Sequence, residues 1–263
     1  MGMVESMRRD WDERARKDAF YYIASWRKDW DVLGFLQSGD EDYERLVLPV
    51  LERFKFSADG KTMLELGCGA GRMTQSFSTH FGRVFAFDVS SQMLERAREF
   101  LHGRENIVWV HGNGVDLGSM ASESVDFVFS YLVLQHLPDE KLVRAYIREM
   151  LRVLRESGLC LFQVDGMSRP TMNWKGRLVW GLIDTLWVIH LSRLSRAISK
   201  LLGLDPEMAG KSWHGTAVTA QSVAEALNAS GGTVLEIWGE NTAMAWFCAR
   251  KVATRTDKAN HED

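Results

Sequence analysis

The run Glu65-Leu66-Gly67-Cys68-Gly69-Ala70-Gly71-Arg72 holds three glycines at alternate positions, directly after the apolar segment 62–66. Asp88 stands 21 residues after Gly67, at the end of a second apolar segment, 84–87. Glycine lets a chain turn sharply and lets a ligand approach the backbone with no Cβ in the way. A helix that opens after such a turn offers free N–H groups to a polar ligand. An acid about 20 residues further on, at the end of the adjoining strand, is placed to accept from a pair of ribose hydroxyls. Strand, glycine turn, helix, strand and terminal acid in register therefore predict a nucleotide-bearing ligand at the carboxyl edge of a sheet.

Two ligands remain open at this level. A nicotinamide dinucleotide would make the chain an NAD(P)-dependent oxidoreductase. Against it, the spacing is G-x-G-x-G, whereas G-x-G-x-x-G places a pyrophosphate over the helix. None of the five tyrosines has a lysine four residues on. Metal chemistry finds no support: the three cysteines, Cys68, Cys160 and Cys248, form no C-x-x-C pair, and no group of histidines and carboxylates has ligand spacing.

The elements that must position these residues follow from periodicity. Residues 7–30 carry apolar groups at helical spacing, and a second helix is expected over 40–54 with Pro49 as a kink or break. Strands are expected at 62–66, 84–87, 107–110, 125–130 and 159–164. Between them lie helices over 71–80, from Ser90 or Ser91 to 101, and 139–154. Such alternation implies a Rossmann-like, doubly wound α/β sheet, mostly parallel. A helix at 219–228 and strands at 234–239 and 244–251, joined by a short turn, add an antiparallel final strand, for seven strands in all. The expected organisation is an N-terminal helical extension (1–57), a ligand-binding core (58–165), a helical cap insertion (166–215), a helix and hairpin completing the core (216–252) and a flexible tail (253–263).

Composition narrows the class. The 263 residues are 46% hydrophobic and 25% charged, with a net charge of −3, as in an ordinary globular protein. That charge argues against a surface built to bind nucleic acid. Ten charged side chains fall within the first 18 residues, where a secretory leader needs an apolar run, so a soluble cytoplasmic protein is expected. Seven of the ten tryptophans fall in residues 1–57 and 166–215, consistent with two helical attachments that close over a site and line it with rings. From Arg169 to Lys211 the cap has seven basic and three acidic residues. Its long helical stretch, 176–204, reads either as a packed helix with a solvated basic face or as an interfacial helix in peripheral contact with membrane or lipid.

The motifs resemble those of the class I S-adenosylmethionine-dependent methyltransferases. The resemblance rests on Glu65 to Gly71, Phe87-Asp88-Val89-Ser90, His111-Gly112-Asn113-Gly114, the run Phe127 to Leu137, and Leu151 to Gly158. It implies S-adenosylmethionine as cofactor, S-adenosylhomocysteine as product, and a seventh strand inserted between the fifth and sixth. It places Gly67, Gly69 and Gly71 against the methionine part, Glu65 beside them, and Asp88, followed by Val89, on the ribose. Met93 is expected near the adenine, Asn113, followed by Gly114, as acceptor from the adenine amino group, and Ser130 and Tyr131 beside the donor methyl.

Methyl transfer from a sulfonium is a direct displacement, so alignment is the protein's main task and no side chain is obligatory. Candidates for proton removal are His136, just past the fourth strand, and His214, where the cap returns to the core; Tyr131 borders the same point. Asp165 reads equally as a base or a loop cap, and His190 as a packed residue. Arg16, Tyr21 and Tyr22 could reach the cofactor carboxylate or close a lid, Arg16 being the cofactor-binding candidate. No N-P-P-Y or D-P-P-Y sequence follows the fourth strand, which disfavours amide or adenine acceptors. The expected acceptor is a small or medium molecule, partly hydrophobic, methylated at oxygen. The alternatives are the oxidoreductase and a non-catalytic cofactor-binding subunit that acts through its basic insertion.

Overall fold

Four side chains set helix starts. Asp31, Ser90, Asp139 and Thr219 accept from the backbone N–H of Gly34 (2.6 Å), Met93 (3.2 Å), Leu142 (2.8 Å) and Ser222 (3.1 Å). Each satisfies one of the donors a helix start leaves orphaned. The computed structural model describes residues 2–166 and 215–252, with scattered helical positions between 178 and 201.

In chain order the elements are α1 (Met3–Ile23), α2 (Val32–Asp42), a π-helical turn (Tyr43–Val47), α3 (Leu48–Arg53), β1 (Thr62–Leu66), α4 (Thr74–His80) and β2 (Arg83–Asp88). Then come α5 (Ser91–Phe100), β3 (Ile107–His111), β4 (Val125–Ser130), a 3-10 turn (Leu134–His136), α6 (Glu140–Val153) and β5 (Leu154–Val164). The last described helix, which we number α7 (Ala220–Ala229), leads to β6 (Gly232–Trp238) and β7 (Ala245–Lys251). The strands form one sheet in the order β3-β2-β1-β4-β5-β7-β6. All pairings through β5 are parallel, and β7 runs antiparallel to both β5 and β6.

Alternation along the strands divides the core. Leu64, Val128, Cys160 and Phe162 pack on the side of α6 and α7, with Ile147, Met150 and Leu227. Met63, Phe127, Phe129 and Leu161 face Phe77, Val47 and Leu51 on the other side. Both faces are covered, which is why these strands read as nearly continuous apolar runs.

The main departures from expectation lie in the N-terminal helices. The first ends at Ile23 rather than Trp30, and is broken at Asp18 (φ −166°, ψ 87°), whose Oδ1 accepts from Tyr21 N at 3.0 Å and restarts it. The second begins at Val32, eight residues early, because Asp31 caps it. Its expected break is a π turn in which Leu48 N–H reaches back to Tyr43 O. Pro49 cannot donate to Arg45 O, so the register slips one residue ahead of it. Strand β5 begins at Leu154 because Leu154 already pairs with Val125, before the chain shifts register and passes Ser157 (φ 63°).

The described positions of 176–204 are helical. Of the apolar positions expected to face inward, Leu186 is buried, but Leu194 and Leu201 are 49% and 85% exposed. The rest of the cap, including His190 and His214, and the tail 253–263 lie outside the described residues. Among the described residues no helix is long and apolar enough to cross a membrane.

Candidate active site

The turn after β1 is locked to the end of β2. The N–H groups of Gly67 and Cys68 both donate to Phe87 O, at 2.7 and 3.0 Å. Gly67 has φ +79° and Gly69 φ +53°, a region where a Cβ is strained. A Cβ on Gly67 would lie 2.1 Å from Val133 Cγ2, so the loop after β4 closes directly onto the glycine.

This turn orients Asp88. Gly69 N donates to its Oδ2 and Ser90 N to its Oδ1, both at 2.8 Å. Burial pushes its pKa up to about 6, against the pull of those two N–H groups. A carboxylate has about four acceptor sites, so Asp88 is fixed in direction and can still accept from a vicinal diol. Glu65, at the end of β1, is also buried and accepts from Thr74 Oγ1 at 2.6 Å. Burial raises its pKa to about 8, with the Asp88 charge adding to this and Thr74 and Arg72 opposing it.

Above the turn is a cavity of ≈ 370 Å³, within the size range of small-molecule sites. Met7, Trp11 and Tyr22 of α1, together with Trp26, roof it. Asp12 pins α1 in place by accepting from Ser90 Oγ (2.6 Å) and Gln92 N (3.2 Å) at the start of α5.

The segment after β4 forms the remaining wall. Leu132 is held at φ +58°, and its N–H donates to Gln163 Oε1 at 3.1 Å. Gln163, fully buried on β5, donates from Nε2 to Gln135 Oε1 (3.0 Å) and Ala243 O (2.8 Å). This fixes the Gln135 amide, so its Nε2 donates to His136 Nε2 at 3.2 Å. The His136 ring meets the edge of Trp11 at 5.3 Å between centroids. That Nε2 lone pair is thus engaged within the wall. Tyr131 lies 5.1 Å from Trp246, and burial raises its pKa.

Of the residues expected at the site, Glu65, Gly67, Gly69, Asp88, Val89, Met93, Tyr131 and His136 line the cavity, and so does Tyr22. Others do not. Gly71 turns the chain into α4, where a Cβ would meet Leu101 at 3.0 Å. Ser130 is buried, its Oγ donating to Leu66 O at 3.2 Å, and ties β4 to β1. Asn113 is exposed, and its Oδ1 accepts from Val115 N (2.7 Å) and Asp116 N (3.0 Å), so it serves its own turn instead of reaching inward. Gly114 packs under α1, where a Cβ would lie 2.8 Å from Val4 Cγ1. Arg16 is exposed on the outer face of α1, while Arg14, two residues earlier, is buried. Asp165 O accepts from Val218 N at 2.8 Å, where the chain re-enters the core.

Two residues at the site escaped the sequence reading. Arg72 is buried, and among the described residues it is the one Lys or Arg lining the cavity. Its place after Gly71 was a usable signal. Gln163 is a polar residue inside an apolar strand, which calls for a partner. Among the described residues no group of three or more His, Cys, Asp and Glu could hold a metal ion.

The cradle fits an adenosyl ligand. Its glycine turn is so closely approached that a Cβ would strike the lining side chains Val133 and Ile23, and its buried acid retains acceptor capacity. Sheet order, glycine turn and buried acid together define a Rossmann-like methyltransferase fold. Residues 64–162 match the family model described as a methyltransferase domain, and the sheet has the Rossmann-like order of S-adenosylmethionine-dependent methyltransferase structures. Trans-aconitate 2-methyltransferase of Azoarcus sp. (strain BH72) is 32% identical over 138 residues, 51% of this chain and 50% of that protein. The chain thus spans half the length of this curated relative. A structure of an Aquifex aeolicus SAM-dependent methyltransferase aligns at TM-score 0.51 and 18% identity, covering 85% of this chain and all of that one. Haemonchus contortus phosphoethanolamine N-methyltransferase 1, in complex with phosphoethanolamine and S-adenosylhomocysteine, aligns at TM-score 0.59 and 17% identity. That alignment covers 98% of this chain and 51% of that chain. The family match favours methyl transfer over the oxidoreductase alternative.

Proposed function

We propose that the protein methylates an oxygen of a small or medium, partly hydrophobic acceptor. The observation that carries this reading is the cavity itself, floored by the glycine turn and Asp88 and roofed by the aromatic side chains of α1. When bound, S-adenosylmethionine supplies an electrophilic methyl on a sulfonium, which passes to the acceptor oxygen and leaves its bonding pair on sulfur.

The chain's residues bind, orient and exclude water. Asp88 accepts from the ribose hydroxyls, Val89 and Met93 flank the adenine, and Arg72 faces the cofactor carboxylate. Tyr131 and Leu132 border the donor methyl. In the wall after β4 neither Tyr131 nor His136 is poised to take a proton: the Tyr131 pKa is raised, and His136 Nε2 accepts from Gln135. That favours an acceptor oxygen that is already ionised or readily loses its proton, with positioning as the main source of rate.

Calorimetric titration with S-adenosylmethionine and S-adenosylhomocysteine, with NADH as control, tests the assignment. The first two should bind in the micromolar range, and Asp88→Ala should weaken them by about 1.5–3 kcal/mol, the scale of a lost charged hydrogen bond. Unchanged affinity in that variant would remove Asp88 from the ribose. Binding without turnover across acceptor classes would favour a non-catalytic subunit.

A further inference from the structure

A second cavity, of ≈ 530 Å³, opens beside the first and shares Trp26 and Tyr131 with it. Its wall comes from the segment between α1 and α2 and from the outer side of α2. Trp26 is 57% exposed, an unusual position for the largest apolar side chain. Its ring stands edge-on to Trp30 at 6.0 Å, and the Arg72 guanidinium lies over it at 5.4 Å.

Of the three guanidinium groups around this cavity, two are ion-paired and one is not. Asp42 is a single buried carboxylate that serves two guanidinium groups: Arg72 pairs with Oδ2 at 2.8 Å, and Arg45 pairs with Oδ1. Arg45 and Tyr131 both line this cavity, and Tyr131 lines the first as well. Arg27 lies over Trp30 at 4.9 Å, and among the described residues no carboxylate pairs with it. Stacking holds that guanidinium in place and leaves its planar fork of donors for another group. Against these three cations stand Asp42 and the exposed Glu41, with Asp31 near Arg27 across Gly34. What is left for a ligand is the Arg27 fork of donors, at a place lined by aromatic faces.

We propose that this outer cavity is the acceptor subsite and that it takes an organic anion, with a flat apolar body on Trp26 and a carboxylate held by Arg27 and Arg45. The proposal rests on the methyltransferase reading and gives its acceptor a chemical class. The shared Trp26 and Tyr131 make the two cavities neighbours, so an acceptor anchored by its charge outside extends its reacting oxygen past Tyr131 toward the donor methyl.

Calorimetry of the full chain with naphthoate and with neutral naphthamide, each with and without saturating S-adenosylhomocysteine, tests this. Naphthoate should bind at least tenfold more tightly than naphthamide, and S-adenosylhomocysteine should strengthen its binding. Arg27→Gln should abolish the preference, a loss of roughly tenfold for a charged hydrogen bond, while naphthamide and S-adenosylhomocysteine affinities hold. Equal binding of acid and amide, or an unchanged preference in Arg27→Gln, overturns the anion site. Naphthoate binding indifferent to S-adenosylhomocysteine, when the latter does bind, overturns its place as an acceptor subsite. Failure of S-adenosylhomocysteine to bind overturns the methyltransferase reading, while the anion preference is still read on the free protein.

Discussion

In the proposed site a ligand at the ends of β1 and β2 meets backbone, whereas under α1 and the segment leading to α2 it meets side chains. The cradle is made by N–H groups, glycines and one acid held by two of those N–H groups. The roof is made by Met7, Trp11, Tyr22 and Trp26, which project from a kinked helix and the loop after it. A backbone site tolerates almost no change at its glycines, since a Cβ on Gly67 or Gly69 strikes Val133 or Ile23. A side-chain roof can change its residues and keep its shape, which lets a common donor site serve different acceptors.

The largest effect expected from this contrast is at Gly67. An alanine there must adopt φ near +79° and place its Cβ against Val133, 2.1 Å from Cγ2. Left-handed strain of about 1–2 kcal/mol adds to overpacking of about 1–3 kcal/mol. Gly67→Ala should therefore lose several kcal/mol in urea unfolding and most of its S-adenosylmethionine affinity. A loss under about 0.5 kcal/mol, the range of a neutral surface change, would mean the turn is not the rigid half of the comparison.

The second effect is electrostatic and belongs to the cradle alone. Asp88 and Glu65 both bind protons more tightly folded than unfolded, since burial raises their pKa values to about 6 and about 8. Ionising either one therefore costs the native state. With respect to these two groups, stability of the free protein should be greatest below about pH 4, fall between 4 and 6 as both acids ionise at the native state's expense, and fall further up to pH 8 through Glu65 alone. Glu65→Gln should flatten the upper part, between pH 6 and 8, in thermal melts. The cationic sulfonium should favour the ionised acids, so its stabilisation relative to neutral S-adenosylhomocysteine should grow over the same interval. A free-protein melting temperature that climbs from pH 6 to 8 would contradict the burial assigned to Glu65.

The same contrast decides what could be read from the sequence. Backbone recognition leaves a spacing, and Gly67, Gly69 and Asp88 were legible because glycine and a strand-end acid have few other reasons to occur 21 residues apart. Capping side chains were legible too: Ser90 and Asp139 set α5 and α6 where expected. The roof left only a surplus of tryptophan, because helical spacing names a face without saying what lies opposite. The turn bonds of Asn113 were hidden for a related reason, since an exposed asparagine after a strand serves its own turn as readily as a ligand. Gln163 needed the tertiary structure, because its partners Leu132, Gln135 and Ala243 come from separate loops.

The smallest effects separate two arginines on the roof helix. The sequence pointed to Arg16, yet the kinked helix turns Arg14 inward and Arg16 outward. Arg14 pairs with Asp10 at 3.1 Å and lies over the rings of Trp11 and Tyr22, at 5.3 and 5.1 Å. Asp10 is already destabilised in its charged form by burial, and Arg14 opposes that. Arg14→Ala should therefore cost about 1–3 kcal/mol through lost packing and a carboxylate left behind, and should loosen cofactor binding because both rings belong to the roof. Arg16→Ala should stay within about 0.5 kcal/mol in stability and leave S-adenosylmethionine affinity unchanged by calorimetry. If Arg16→Ala weakened binding more than Arg14→Ala, the rotation of α1 would be wrong, and the roof would have to be rebuilt around the other face of the helix.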